Sequence, residues 1–241
     1  MATQDGPKYP GIEDGLVFCF DPKNRDCWSG PISGSSLVNN IECNLENIGG
    51  TELEGAITTE GYIEVDGTDD WIHTGNIVVG TNFSMGGWVT TTEFSNNIFL
   101  ASLHYHGGGG DYDGNFIYRL TDATTIAFAS YDGQGNEEYA ARTVSTISSG
   151  DWFNLFCTCN GSTMSLYFNG VKVGTSFTHT KALDDLNNGG LVIGAEINVH
   201  GAGHSNNDWN GKIGPCILYN RELSAAEVLT NYNRLKGRFG L

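Results

Sequence analysis

The chain has 241 residues, with 28 Asp and Glu against 12 Lys and Arg, a net charge of −16 and 39% hydrophobic residues. That balance excludes broad contact with nucleic acid, whose affinity rests on Lys and Arg at phosphates. A charged fraction of only 17%, with 12 Phe, 10 Tyr and 5 Trp, is equally unlike a disordered acidic chain. No apolar run approaches the ~20 residues that span a bilayer, and no basic segment followed by an apolar stretch opens the chain. Neither membrane insertion nor a secretory signal is therefore expected.

Thirty-four Gly and only 5 Pro point to tight turns and strands, an all-β chain. Residues 1–14 are polar with two prolines and read as an extended arm, able to dock on a neighbouring subunit; residues 15–241 read as one domain. Leu16–Phe20 is a short apolar strand, and residues 21–54 form a turn-rich excursion. Tyr62–Val65 alternates, Asp66-Gly-Thr-Asp-Asp70 turns, and Trp71-Ile72 resumes. Further strands are Phe83–Thr90, Asn97–Leu103, Phe116–Leu120, Ile126–Tyr131 and Tyr139–Val144. Phe153–Asn160 and Met164–Phe168 form a hairpin, and Asn169-Gly170 before Val171–Val173 is a type I′ turn signal, because both central residues need positive φ. Leu191–Ala195 and Gly211–Tyr219 complete about twelve strands, the pattern of a two-sheet antiparallel sandwich. Ser224-Ala-Ala-Glu227 is a capping box that opens one helix near 225–235, and Gly237 marks its expected stop.

Six cysteines occur, at 19, 27, 43, 157, 159 and 216. Cys157 and Cys159 share one strand face and do not bridge each other easily. There is no Cys-x-x-Cys pair for a zinc ribbon, so reduced, buried thiols are expected.

The order of these segments resembles the laminin-G-like type of the concanavalin A-like jelly roll over about residues 15–237. The pieces that carry the likeness are Asp14-Gly-Leu-Val-Phe18, Val65-Asp-Gly-Thr-Asp-Asp-Trp-Ile72, Gly87-Trp-Val89, Leu166-Tyr-Phe-Asn-Gly-Val171 and Leu191-Val-Ile-Gly-Ala195. Trp209-Asn-Gly-Lys-Ile213, joined to Ile217–Val228, is the strongest piece. The tail Tyr219–Asn233 with Leu235-Lys-Gly-Arg-Phe239 is similar to virion structural proteins of tailed phages, notably those of cyanobacteria. The resemblance implies a two-sheet jelly roll and a non-enzymatic part displayed on a virion surface. Its partners would be other capsid or tail proteins, further copies of itself (a trimer, for example) and surface glycans. A free lectin-like carbohydrate-binding module is the alternative, and a divergent glycosidase a third reading.

Glycoside hydrolysis in this fold uses a Glu-x-Asp-x-x-Glu strand, and the nearest match is Glu64-Val-Asp66-Gly-Thr-Asp69. There the last position is the shorter Asp and Gly67-Thr68 reads as a turn, so no catalytic residue is assigned. Asp66, Asp69 and Asp70 are candidates for some of the oxygen ligands that one structural Ca²⁺ would want. Many relatives carry an Asp two residues after the Gly-Lys of the last strand; here Gly214 stands there. His104, His106, His200 and His204 offer transition-metal ligands only if their loops meet. A Gly-x-Ser-x-Gly elbow is absent, and Gly107–Gly110 lacks the Lys of a phosphate loop. For glycan contact, Tyr105, His106, Tyr112 and Asp113 share one loop, and His204, Asn207 and Trp209 another.

Overall fold

The computed structural model describes residues 11–24, 36–38, 41–44, 61–68, 72–74, 77–95, 97–102, 116–131, 137–183, 190–195 and 208–241. Among these residues fifteen strands form two antiparallel sheets. They are β1 (Leu16–Phe20), β2 (Ser36–Val38), β3 (Ile41–Asn44), β4 (Ile63–Asp66), β5 (Ile72–Thr74), β6 (Asn82–Val89), β7 (Ile98–Ser102) and β8 (Phe116–Asp122). After them come β9 (Thr125–Tyr131), β10 (Glu137–Thr143), β11 (Phe153–Asn160), β12 (Thr163–Phe168), β13 (Val171–Thr178), β14 (Leu191–Ile193) and β15 (Asn210–Tyr219). One sheet runs β1-β15-β6-β11-β12-β13, with β4 also on β15; the other runs β10-β9-β8-β7-β14-β5-β3-β2. This is the expected concanavalin A-like jelly-roll sandwich, closed, among the described residues, by one α-helix, α1 (Ala225–Leu235), and a 3₁₀ turn over Lys236–Phe239.

Period-2 patterning explains which side chains meet between the sheets. In β4, Ile63 and Val65 are buried while Glu64 and Asp66 are exposed. Phe83, Met85 and Val89 of β6 and Leu155, Cys157 and Cys159 of β11 face Phe116, Tyr118, Leu120, Ile126 and Phe128 of β8 and β9. Tyr118 reaches across this layer and donates its hydroxyl to the Phe156 carbonyl at 3.1 Å. Cys19, Cys157, Cys159 and Cys216 are buried thiols outside any disulfide, and burial pushes Cys159 up to about 11. The side chains of Cys27 and Cys43 lie outside the described residues.

A second apolar layer lies on the outer face of the β6-containing sheet. Trp88, Phe156, Tyr167 and Tyr219 pack there against Leu223, Val228, Leu235 and Phe239. Each fully buried aliphatic side chain of α1 contributes about 1.5–3 kcal/mol to docking. The capping box is complete: Ser224 Oγ accepts from Glu227 N at 3.3 Å and Ser224 N donates back to Glu227 Oε2 at 2.8 Å. Hydrogen bonds from Arg221 hold the Glu227 carboxyl down to about 2. Gly237 does not end the helical segment. The 3₁₀ turn continues through it, and Gly240, with φ of 78°, is the left-handed cap.

The described part of the N-terminal arm docks on its own chain. Ile12 N donates to Asn231 Oδ1 at 2.8 Å, Tyr219 OH donates to Ile12 O at 2.8 Å, and Asp14 pairs with Arg221 at 3.0 Å. Residues 1–10 lie outside the described residues. At Asn169-Gly170 both φ values are positive, 49° and 76°, as a type I′ turn requires.

The β10 and β13 edges are closed by side chains. Arg142 donates to the Thr175 carbonyl through Nε at 2.9 Å and Nη2 at 2.7 Å. Thr180 N and Oγ1 donate to Glu138 at 2.8 and 2.7 Å. Next to them His179 is fully buried, its Nδ1 3.2 Å from Ser130 Oγ and 3.3 Å from Glu138 Oε2, between the rings of Phe83 and Phe128. Its Nε2 has no hydrogen-bond partner among the described residues. Burial lowers the His179 pKa from 6.5, against the opposing pull of Glu138. Below pH 6.5 the unfolded chain takes a proton that the folded chain resists, so stability is full above that pH and falls as pH drops beneath it. Burial works against the charge of Glu138, but the Thr180 bonds and His179 outweigh it and keep this carboxyl below 4.5, which adds a separate loss in stronger acid. Urea midpoints at about pH 7.5 and 5.5 are expected to differ in wild type, and His179→Gln is expected to shrink that difference.

Candidate functional site

Trp209 corrects the sequence reading. It is fully buried, its ring centroid 5.7 Å from Phe99 and 6.3 Å from Phe153, and its indole N–H donates to the Thr90 carbonyl at 2.7 Å. Trp209 N also donates to Gly194 O at 2.7 Å, stitching the start of β15 to the exit of β14. The side chain belongs to the core and offers no face to a ligand.

Tyr105, His106, Tyr112, Asp113, His204 and Asn207 lie outside the described residues, as do His104, His200, Asp69 and Asp70. The strands nonetheless fix the roots of both loops. The first leaves β7 after Ser102 and returns at Phe116; the second leaves after Ala195 and returns at Asp208. In the antiparallel β7–β14 pair, Leu191 faces Ser102 and Ile193 faces Leu100, while Asp208 bridges Ile98. The two loops therefore leave from opposite ends of β7, separated along the strand by roughly 13 Å.

Glu64 and Asp66 share the exposed face of β4, as their spacing predicts. Asp66 Oδ1 accepts from Thr68 N at 2.8 Å, the local cap of a turn in which Gly67 has φ of 78°. Glu64 stands opposite Lys212, and Asp66 opposite Asn210. Among the described residues, no three His, Cys, Asp or Glu side chains gather as a metal site.

A cleft of about 380 Å³ opens elsewhere, where the chain crosses from β10 to β11. The crossing is pinned at three points: Val144 N to Thr124 O at 2.7 Å, Ile147 N to Ala123 O at 2.8 Å, and Gly150 N to Thr91 O at 2.8 Å. Val144 and Ile147 turn into the core, which leaves Ser145, Thr146, Ser148 and Asp151 exposed on one wall. Phe168 and Asn169 at the end of β12, and Phe239–Leu241, form the other wall. Ile147, Gly150, Trp152 and Phe153 complete the lining.

Trp152 is half-buried and rigidly backed, its ring centroid 4.4 Å from Phe239 and 5.8 Å from Tyr62. Phe239 in turn stacks on Trp88 at 4.5 Å. Asn169 Oδ1 accepts from Asn154 N at 2.8 Å, which fixes the turn. Ser145, Thr146, Ser148 and Asp151 spend no side-chain hydrogen bond within the described residues. The cleft thus combines fixed aromatic rings with uncommitted hydroxyl and carboxylate groups. A sugar needs both, an apolar surface for its C–H face and polar partners for its hydroxyls. Sequence reading missed this place because its walls come from three distant stretches. The local signal was a Trp directly after the turn Ser148-Ser149-Gly150-Asp151.

The family described as Concanavalin A-like lectin/glucanases superfamily matches the chain over residues 66–229. No curated protein matches it. Among solved structures, the chain is similar to domain 4 of AbnA, a GH43 extracellular arabinanase from Geobacillus stearothermophilus, in complex with arabinotriose. The identity there is 19%, over 90% of this chain and 98% of that one, with a TM-score of 0.60. The binding domain of Paraclostridial Mosquitocidal Protein 1 matches at 19% identity, over 91% of this chain and 52% of that one, with a TM-score of 0.61. This chain therefore spans about half the length of that toxin binding domain. A heptameric SAP-like pentraxin from Limulus polyphemus matches at 15% identity, over 70% of this chain and 80% of that one, with a TM-score of 0.53. At these identities the likeness shows the fold.

Proposed function

The chain belongs to the Concanavalin A-like lectin/glucanases superfamily, and from that premise we propose that it is a non-catalytic glycan-binding module carried on the surface of a phage particle. The observation that carries the glycan part is the cleft at Trp152, with its braced aromatic wall and its free hydroxyls at Ser145, Thr146 and Ser148. The chain's similarity to the binding domain of a mosquitocidal protein and to an arabinanase domain in complex with arabinotriose agrees with that reading. The virion part rests on the resemblance of Tyr219–Phe239 to phage structural proteins. Several copies on a particle would turn a weak contact into avid attachment. Tyr105, His106, Tyr112, Asp113, His204 and Asn207 are proposed as further contacts, and one calcium at Asp66, Asp69 and Asp70 as a structural support.

A glycan array probed with the recombinant protein tests the binding. Trp152→Ala is expected to weaken every positive signal at least about tenfold, the scale of a buried anchor residue. Because Trp152 also packs on Phe239, the exposed double variant Thr146→Ala, Ser148→Ala is compared at matched melting temperature, and a clear loss is expected there too. Immunogold labelling of intact particles tests the second part. A regular pattern of label is expected; unlabelled, well-stained particles would leave the free lectin-like module as the reading.

A further inference from the structure

We infer that the cleft is selective for uncharged glycans and turns acidic ones away, with Asp151 as the residue that decides between them. This inference rests on the glycan-binding reading and specifies its ligand class. Among the described residues that line the cleft, Asp151 is the one charged side chain; Lys, Arg and His are missing from that set. The two cations of the adjacent 3₁₀ turn are outside the lining and have partners, although the Arg238 guanidinium also lies 5.3 Å from the centroid of the Phe239 ring. Arg238 Nη1 holds both carboxylate oxygens of Asp21 at 2.8 and 3.0 Å, and Lys236 Nζ sits 5.7 Å from the Tyr232 ring. A uronate, sialyl or sulfate group entering here meets the Asp151 carboxylate and, among the described residues that line the cleft, no cationic side chain, within a chain whose net charge is already −16. A neutral sugar meets the opposite situation. An ionised carboxylate is acceptor-only, with two oxygens, and so accepts hydrogen bonds from two neighbouring hydroxyls on one ring. Such bonds to an ionised group are about twice as strong as neutral ones. The hydroxyls of Ser145, Thr146 and Ser148 rotate to donate or accept as the ring requires. At about 380 Å³ the cleft is at the small end of ligand sites, suited to one or two sugar rings rather than a long chain.

The test is a titration of the full chain with two sets of probes. The neutral set is cello-, galacto- and arabino-oligosaccharides; the acidic set is sialyllactose, oligogalacturonate and a heparin disaccharide. Wild type is expected to bind at least one neutral probe and to bind every acidic probe at least about tenfold more weakly, with a larger gap at 15 mM than at 150 mM salt. Asp151 is exposed, so its variants are expected to melt at the wild-type temperature. Asp151→Asn is expected to narrow the gap, and Asp151→Lys to reverse it. Acidic and neutral probes bound alike by wild type, or a ratio unmoved in Asp151→Lys, would overturn the inference. If that binding were still lost in Trp152→Ala, the glycan-binding reading would stand without it. No binding to either set would overturn both.

Discussion

Trp209→Ala is expected to destabilise the protein by about 3–5 kcal/mol from the lost side chain and its cavity. A further ~1–3 kcal/mol follows from leaving the Thr90 carbonyl without its donor. Against a typical total of about 5–15 kcal/mol, that is enough to bring the domain close to unfolding. The reason is the position of the indole. It is fully buried between Phe99 of one sheet and Phe153 of the other, and its N–H closes onto the backbone just after β6. Urea unfolding followed by near-ultraviolet dichroism measures the effect. Trp209→Phe keeps much of the packing but not the hydrogen bond, and is expected to fall between the two. An unchanged urea midpoint together with lost glycan binding would return Trp209 to the binding surface.

Gly86→Ala is expected to prevent the native sandwich from forming at all. Gly86 lies in β6, between β11 and β15. A Cβ there would sit inside the van der Waals shell of the Leu155 carbonyl oxygen and 2.7 Å from the Phe156 Cα. Those atoms are the backbone of the paired strand, and they yield only if the ladder opens. Soluble yield and near-ultraviolet dichroism are the readouts, and the native signal is expected to be absent. Gly237→Ala is the control. Nothing lies within 4 Å of its Cβ, so it is expected to be neutral or to stabilise by about 0.4–1 kcal/mol.

The strands that sequence reading located are those whose burial is one-sided or complete. Phe153–Asn160 was legible to the residue because an apolar run ended at a turn signal, and β4 because Ile63 and Val65 alternate with Glu64 and Asp66. β13 runs on to Thr178, past the Val171–Val173 that its apolar residues marked. It is an edge strand, mostly exposed, and Arg142 on its carbonyls substitutes for an apolar face. Trp209 was placed in a loop because a Gly- and Asn-rich stretch precedes it. Only its contacts with Phe99 and Phe153 reveal a core residue. The segments 103–115 and 196–207 are alike in composition, both polar and Gly-rich. The separation of their roots depends on β14 pairing antiparallel with β7, a contact between residues about ninety positions apart that no local pattern encodes. The cleft is of the same kind: a turn, a strand end and a C-terminal segment, each ordinary alone, line one cleft only after the sheets have assembled.

The most direct measurement is an amide and indole NMR titration with the strongest neutral ligand from the array. The account predicts shifts at the Trp152 indole N–H and at the amides of residues 145–151, Asn169 and Gly240. Shifts confined to residues 103–115 and 196–207, with the cleft unmoved, would contradict it.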